Sequence, residues 1–372
     1  MLRRELKKYL LSALGLLAIA SLLPVDASAV GSARLNPKKA VWGPNYINGR
    51  SAFPLYREMG VGIYSHALSW HKTARTKPAD ATNPHDPAYH WPDALTDAVR
   101  EASTFGIKVN IQITYAPKWA NGGHARNWAP LHPRDFAQFA VAAARKYPSV
   151  HLWSVWGEAN ARRNFMPSES APGHATRLTV SQSRGPRLYA NIVESTYQAL
   201  KAIDPENKII AGATFASGDI RTPLWIRYMK TSSGLPPHMD MYSHNPFGSR
   251  KPNLNNPISP AGGVDLSDVA RLEAMTVASL GAPFGKTTIP LFLSEWCVTT
   301  ARDFEFRYSV SHLEQAQWIR AAFSIVNAAS YINSIGWIHL QDQRVGLMPV
   351  ISSGLLDYAG RKKLGFAAFA GS

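Results

Sequence analysis

The sequence predicts an α/β fold, a (β/α)8 TIM barrel in a single domain, on three observations. Eight short apolar runs of strand character recur along the chain, amphipathic helical runs separate them, and no Gly-rich phosphate loop follows the first. Strands alternating with helices pair in parallel through right-handed crossovers. Eight such units suit a closed barrel, which takes about 250 residues plus insertions. The competing arrangement, a doubly wound open sheet, usually announces itself with a G-x-G-x-x-G or P-loop motif, and neither is present in the sequence.

Before the first strand, the segment MLRRELKKYLLSALGLLAIASLLPVDASAV places Arg3, Arg4, Lys7 and Lys8 ahead of an apolar run from Leu10 to Leu23. The small triplet Ala27-Ser28-Ala29 follows. This three-part layout predicts a secretory signal peptide over residues 1–29, cleaved after Ala29, and a secreted (extracellular or cell-envelope) protein. The apolar run falls short of the roughly 20 residues needed to span a bilayer, so no transmembrane span is expected after cleavage. Residues 30–372 then form one (β/α)8 domain, expected to be a monomer.

The predicted strands are Ala40–Gly43, Val61–Leu68, Ile107–Tyr115, Val150–Gly157, Lys208–Ala213, Met239–Asn245, Ile289–Trp296 and Ser334–Gln341. Helical patterns between them include PDALTDAVREASTFG, PRDFAQFAVAAARKYP, GPRLYANIVESTYQALKAIDP and SHLEQAQWIRAAFSIVNAAS. Pro near a helix start is favourable, because the N–H it lacks would have no partner there. The longest irregular stretches, 166–183 and 247–263, each follow a strand, where a barrel keeps its functional loops.

Composition narrows the function classes. With 45% hydrophobic and 17% charged residues the chain can bury a large core. Its net charge is +15, and +13 without residues 1–29, which hold four of the basic and two of the acidic residues. The basic residues are scattered, which reads as a solvated surface, although an anionic polymer would be attracted. Paired Cys/His fingers are missing from the sequence, so no nucleic-acid partner is expected. Cys297 is the only cysteine, so no internal disulfide is possible. The 12 His show no H-E-x-x-H or short-spaced ligand set, and neither a metal nor another cofactor is expected.

The chemistry lies at strand tips. In the run VHLWSVWGEANARRNF an apolar strand ends in Glu158, and in LFLSEWC another ends in Glu295. A buried charge is costly, so a carboxylate at the end of such a strand belongs at an open mouth, where the C-terminal ends of barrel strands converge. Two carboxylates across one rim suit glycosidic bond cleavage. One donates a proton to the leaving oxygen, and the other meets the positive charge growing at the anomeric carbon.

These motifs carry a family resemblance. WSVWGEAN resembles the fourth-strand W-N-E-P-N signature of glycoside hydrolase clan A, and PLFLSEW resembles its seventh-strand nucleophile segment. YAPKWANGG and the tail WIHLQDQRVGLMPVISSGLLDYAGRKKLGFAAF are similar to members of families 39 and 5, so the resemblance spans Val41 to Phe369. It implies a retaining O-glycoside hydrolase with Glu158 as acid/base and Glu295 as nucleophile, acting on a carbohydrate. There are departures. The Asn that precedes the acid/base in relatives and bonds the sugar 2-OH is Gly157 here, with Asn160 the nearest replacement. The second-strand Arg of many relatives falls near Ser65 and His66, and Phe247 stands where a Tyr is frequent.

Candidate substrate-binding residues are Trp119, Asn160, His244, Trp296, Trp337 and Asp342, with Trp70, Trp156 and His339 as weaker ones. Indole rings suit the C–H faces of sugars, although each could equally be core packing. The alternative function is a glycan-binding protein on a catalytically degenerate hydrolase barrel.

Overall fold

All eight predicted strands form, and they close on themselves. The computed structural model describes residues 34–259, 262–303 and 305–372; the predicted signal peptide lies outside them. The barrel strands are β1 (Asn36–Trp42), β2 (Val61–Ser69), β3 (Lys108–Thr114), β4 (Leu152–Val155), β5 (Lys208–Phe215), β6 (Met241–Asn245), β7 (Leu291–Trp296) and β8 (Ile332–Trp337). Each pairs in parallel with its sequence neighbours, and β1 also pairs with β8. This is a (β/α)8 barrel.

The sequence shows why the outer layer is helical. Helix α1 (Pro133–Lys146) has Pro133 at its start, Asp135 in its first turn and Arg145 and Lys146 in its last, all favourable to the helix dipole. One face, including Phe136, Phe139 and Ala140, is buried. Helix α2 (His312–Ala328) starts with a reciprocal cap: the Ser311 hydroxyl accepts from the Glu314 N–H at 3.2 Å, and the Glu314 carboxylate accepts from the Ser311 N–H at 2.8 Å.

The barrel interior changes character along its axis. At the N-terminal end Ala40, Ile63, Ile210, Met241 and Phe292 form an apolar plug, with Leu152 against it. Nearer the mouth the interior turns polar. Ser154 donates to Asn110 at 2.9 Å, Asn110 donates to Ser65 at 3.2 Å, and Gln112 follows on β3. The plug seals the bottom, so a ligand can enter only from the C-terminal end.

Asp342, expected to bind substrate, is part of the scaffold instead. Its carboxylate accepts from Lys363 Nζ at 3.0 Å and from the Gly354 N–H at 2.7 Å, with both charged side chains buried. The pair joins the chain after β8 to the C-terminal segment. Breaking one side of a buried pair strands the other charge. Asp342→Ala should therefore lose about 3 to 5 kcal/mol in urea unfolding, whereas Asp342→Leu combined with Lys363→Met should lose clearly less.

Candidate active site

Glu158 reaches the mouth through a strained turn. Trp156 and Glu158 both have left-handed backbone, with φ of 62° and 47°. For residues other than glycine this conformation costs of order 1 to 3 kcal/mol each, and it persists only where the surroundings enforce it. Here they do: the Trp156 indole is fully buried between Phe136 and Phe165, and its N–H donates to the Asn164 carbonyl at 2.8 Å. The turn lifts the Glu158 carboxylate out of the packed strand.

Glu295 gets there by a bulge. Leu293 opposes Ile335, yet Trp296 opposes Trp337, so β7 carries one extra residue at its tip. Simple alternation from Leu293, which packs in the outer core, would put Glu295 on the same outer face. The extra residue re-aims it, and Glu295 lines the mouth cavity while Trp296 packs outside.

The two carboxylates therefore share one cavity of about 580 Å³. Asn245, at the tip of β6, lies between them: its Nδ2 donates to Glu158 Oε1 at 3.3 Å, and its amide also favours the ionised form of Glu295. Glu158 Oε2 accepts from Arg163 at 2.7 Å and from Asn164 at 2.9 Å. Glu295 is half-buried at the cavity edge, and its desolvation, reinforced by Glu158 and then Glu305, pushes its pKa up to about 8. At neutral pH the resting site thus holds a proton on Glu295, while Glu158 has a guanidinium as its counter-ion.

Glu305 is a third carboxylate that sequence reasoning missed. It sits on the loop after β7, where no periodic pattern points to it. Asp303 shapes that loop by accepting from the N–H groups of Glu305 and Phe306 at 3.0 and 2.9 Å and from the Ser352 hydroxyl at 2.8 Å. Burial, Asp303 and Glu158 raise the pKa of Glu305. His339 Nε2 stands 3.6 Å from its carboxylate, and burial lowers the pKa of this imidazole. A second cavity, of about 620 Å³, opens beyond Glu305 among Trp42, Tyr46, His339 and Gln343. Both cavities touch Glu295, Glu305 and Ile338, so the mouth is a two-lobed cleft.

Among the described residues lining the first cavity, none of the six predicted substrate-binding side chains is found. Trp119 packs edge-on against Trp70, with its N–H donated to the Ala74 carbonyl at 2.8 Å. Trp296 and Trp337 are buried edge-to-face against each other. His244 is wholly buried between the Thr214 hydroxyl and the Val264 carbonyl, and burial lowers its pKa to about 4, so it is neutral. Asn160 is a latch rather than a ligand: it donates to the carbonyls of Phe215 and Ile220 at 2.9 and 3.0 Å and accepts from the Phe215 N–H at 2.7 Å. Asp342 is the scaffold partner of Lys363. Each of these ends or follows a barrel strand, yet its side chain is engaged in packing or hydrogen bonds away from the cavity. The aromatic wall is instead Tyr115, Phe215, Phe247 and Phe306, with Phe247 within 6.0 Å of Phe215 and 5.4 Å of Phe306.

No protein-family model matches the chain, and no curated protein matches its sequence. Solved structures do. A family 39 glycoside hydrolase from Bacteroides cellulosilyticus WH2 superposes with a TM-score of 0.62 at 16% identity, over 91% of this chain and 63% of its own. In fold, the chain resembles family 39 glycoside hydrolases. The GH39 enzyme from Xanthomonas axonopodis pv. citri gives 0.59 at 17% identity, over 90% of this chain and 65% of its own. A monomeric β-xylosidase from Caulobacter crescentus CB15 gives 0.60 at 17%, over 90% and 67%. The chain thus spans about two thirds of the length of these matched structures. The clan A resemblance read from the strand-tip motifs holds at the level of fold.

The raised pKa of Glu295 links the site to stability. The folded state keeps a proton that an unfolded Glu releases near pH 4.5, so this contribution is complete below that pH and is lost as pH rises towards 8. Glu295→Gln should remove the dependence and be more stable than the parent at pH 8 by at least about 1 kcal/mol in denaturant unfolding.

Proposed function

We propose that the protein is a retaining O-glycoside hydrolase acting on an oligosaccharide or polysaccharide. The observation that carries this reading is the convergence of Glu158 and Glu295 on one cavity with Asn245 between them. Three of the matched structures are family 39 enzymes or a β-xylosidase, which supports the same reaction class. The basic, apolar and small-residue succession over residues 1–29 supports secretion.

In the first step Glu158 gives its proton to the glycosidic oxygen, the bond from that oxygen to the anomeric carbon breaks, and Glu295 bonds to that carbon. In the second step Glu158, now a carboxylate, takes a proton from water. The water oxygen displaces Glu295 and the free sugar leaves. This requires the resting proton to move from Glu295 to Glu158 when substrate binds. Arg163 is the lever: its side chain is 63% exposed, and a sugar seated beside Glu158 would displace it. Asn245 steadies the carboxylate left on Glu295.

The aromatic wall supplies apolar faces for the sugar rings, and the second lobe offers room for further units of a chain. Such a cleft suits a substrate longer than a disaccharide. The resting placement of the proton, with Arg163 clamped on Glu158, favours a second reading, a glycan-binding protein that has lost turnover.

Kinetics separate the two. Glu295→Gln should abolish hydrolysis. Glu158→Gln should lose roughly 10²- to 10⁴-fold on glycosides with poor leaving groups, but far less on aryl glycosides whose leaving group needs no proton. Equal losses on both substrate classes would contradict the assignment, and saccharide binding without release of reducing sugar by the parent would establish the second reading. Tyr46 is 45% exposed at the second lobe. Tyr46→Ala should raise KM for a hexasaccharide severalfold more than for an aryl monoglycoside, as measured by steady-state kinetics on both.

A further inference from the structure

A side chain at position 157 would meet the amide of Gln112. A Cβ built on Gly157 would stand 2.6 Å from Nε2 of Gln112 and 3.3 Å from its Cδ. Contacts that short do not occur, so the Gln112 amide occupies the space into which a side chain at 157 would grow. Gln112 comes from the neighbouring strand, where its Cα partner on β4 is Ser154. It therefore reaches the mouth from one strand over, directly beside the residue that precedes Glu158.

The Gln112 amide is also uncommitted. The residue is only 7% exposed, and its side chain makes no hydrogen bond to any described residue. Neither of its amide atoms is among the buried polar atoms sealed off without a partner. What exposure it has is to the cavity it lines with both carboxylates. A carboxamide offers two donor hydrogens and an acceptor oxygen, and polar groups this enclosed are normally satisfied. The other amide lining the cavity, Asn164, donates to Glu158, and Asn245 behind it does the same. Asn160, the replacement suggested by sequence proximity, is fully committed to the chain around Phe215 and Ile220.

We propose that Gln112 is a catalytic residue that hydrogen-bonds the hydroxyl adjacent to the anomeric carbon of the bound sugar. This rests on the glycoside hydrolase reading. Beside Glu158, the amide faces the place where the glycosidic bond must lie for proton donation. The hydroxyl next to the reacting carbon is the 2-OH, whose hydrogen bonds strengthen as positive charge develops. Gly157 is then the small residue that lets a donor from β3 serve a position normally reached from β4. The pairing makes the two positions interdependent: a larger residue at 157 pushes the Gln112 amide out of its present place.

The experiment compares aryl glycosides bearing a 2-hydroxyl with their 2-deoxy counterparts, using the parent, Gln112→Ala and the double variant Gln112→Ala with Gly157→Asn. Circular dichroism melts confirm that each folds. Gln112→Ala should lower kcat/KM on the 2-hydroxy substrate by roughly 10²-fold, and on the 2-deoxy substrate by less than about threefold. The double variant, with the space cleared, should recover at least about tenfold on the 2-hydroxy substrate. Equal losses on both substrates, or an unimpaired Gln112→Ala, would overturn the proposal. Should the parent hydrolyse none of these glycosides, the hydrolase reading fails separately, and calorimetry with the same pairs decides on Gln112. Tighter binding of the 2-hydroxy ligand by the parent, abolished in Gln112→Ala, supports the contact; equal affinities, or no binding by the parent, overturn it.

Discussion

Two acidic side chains are confined in a cavity too enclosed for both to be ionised without cost, and the rest of the site is arranged around that constraint. Glu295 is half-buried and desolvated, with Glu158 and Glu305 nearby, so the least costly arrangement at neutral pH leaves one proton in the cluster. Arg163, Asn164 and Asn245 all direct donors at Glu158, and the raised pKa of Glu295 keeps the proton there at rest. A site that holds one proton between two carboxylates can act as acid and base in turn, provided a ligand moves the proton.

The scaffold maintains this unfavourable arrangement by local devices rather than by strand geometry alone. The left-handed turn at Trp156 and Glu158 is held by the buried indole and its bond to Asn164. The extra residue in β7 turns Glu295 inward. Asn160 fastens the Glu158 loop to the chain around Phe215, and Asp303 fastens the Glu305 loop to Ser352. Each device acts at the mouth, while the apolar plug around Phe292 closes the other end of the barrel. Stability and site construction are therefore separated along the barrel axis.

That separation explains what could be read from the sequence. The eight strands were legible because continuous apolar runs bounded by turn residues signal buried parallel strands, and the plug residues sit within those runs. Glu158 and Glu295 were legible because a carboxylate ending such a run needs a physical reason. The substrate-binding residues were not. Trp296, Trp337, His244 and Asn160 look functional by residue type and place, yet loop packing decides which strand-tip side chains face the cavity. Glu305, Phe215 and Phe306 lie where no periodicity exists, and only the folded loops bring them in. Gln112 carried a usable signal: a polar residue at an inward position of β3, one strand over from the glycine that precedes Glu158.

The most direct test of the shared-proton account is a carboxyl NMR titration of the protein labelled with ¹³C at the glutamate side chains. The account predicts one glutamate that titrates far above the rest, near pH 8, and whose signal vanishes in Glu295→Gln. A spectrum in which every glutamate titrates in the ordinary range, or in which the high-pH signal survives in Glu295→Gln, would contradict it.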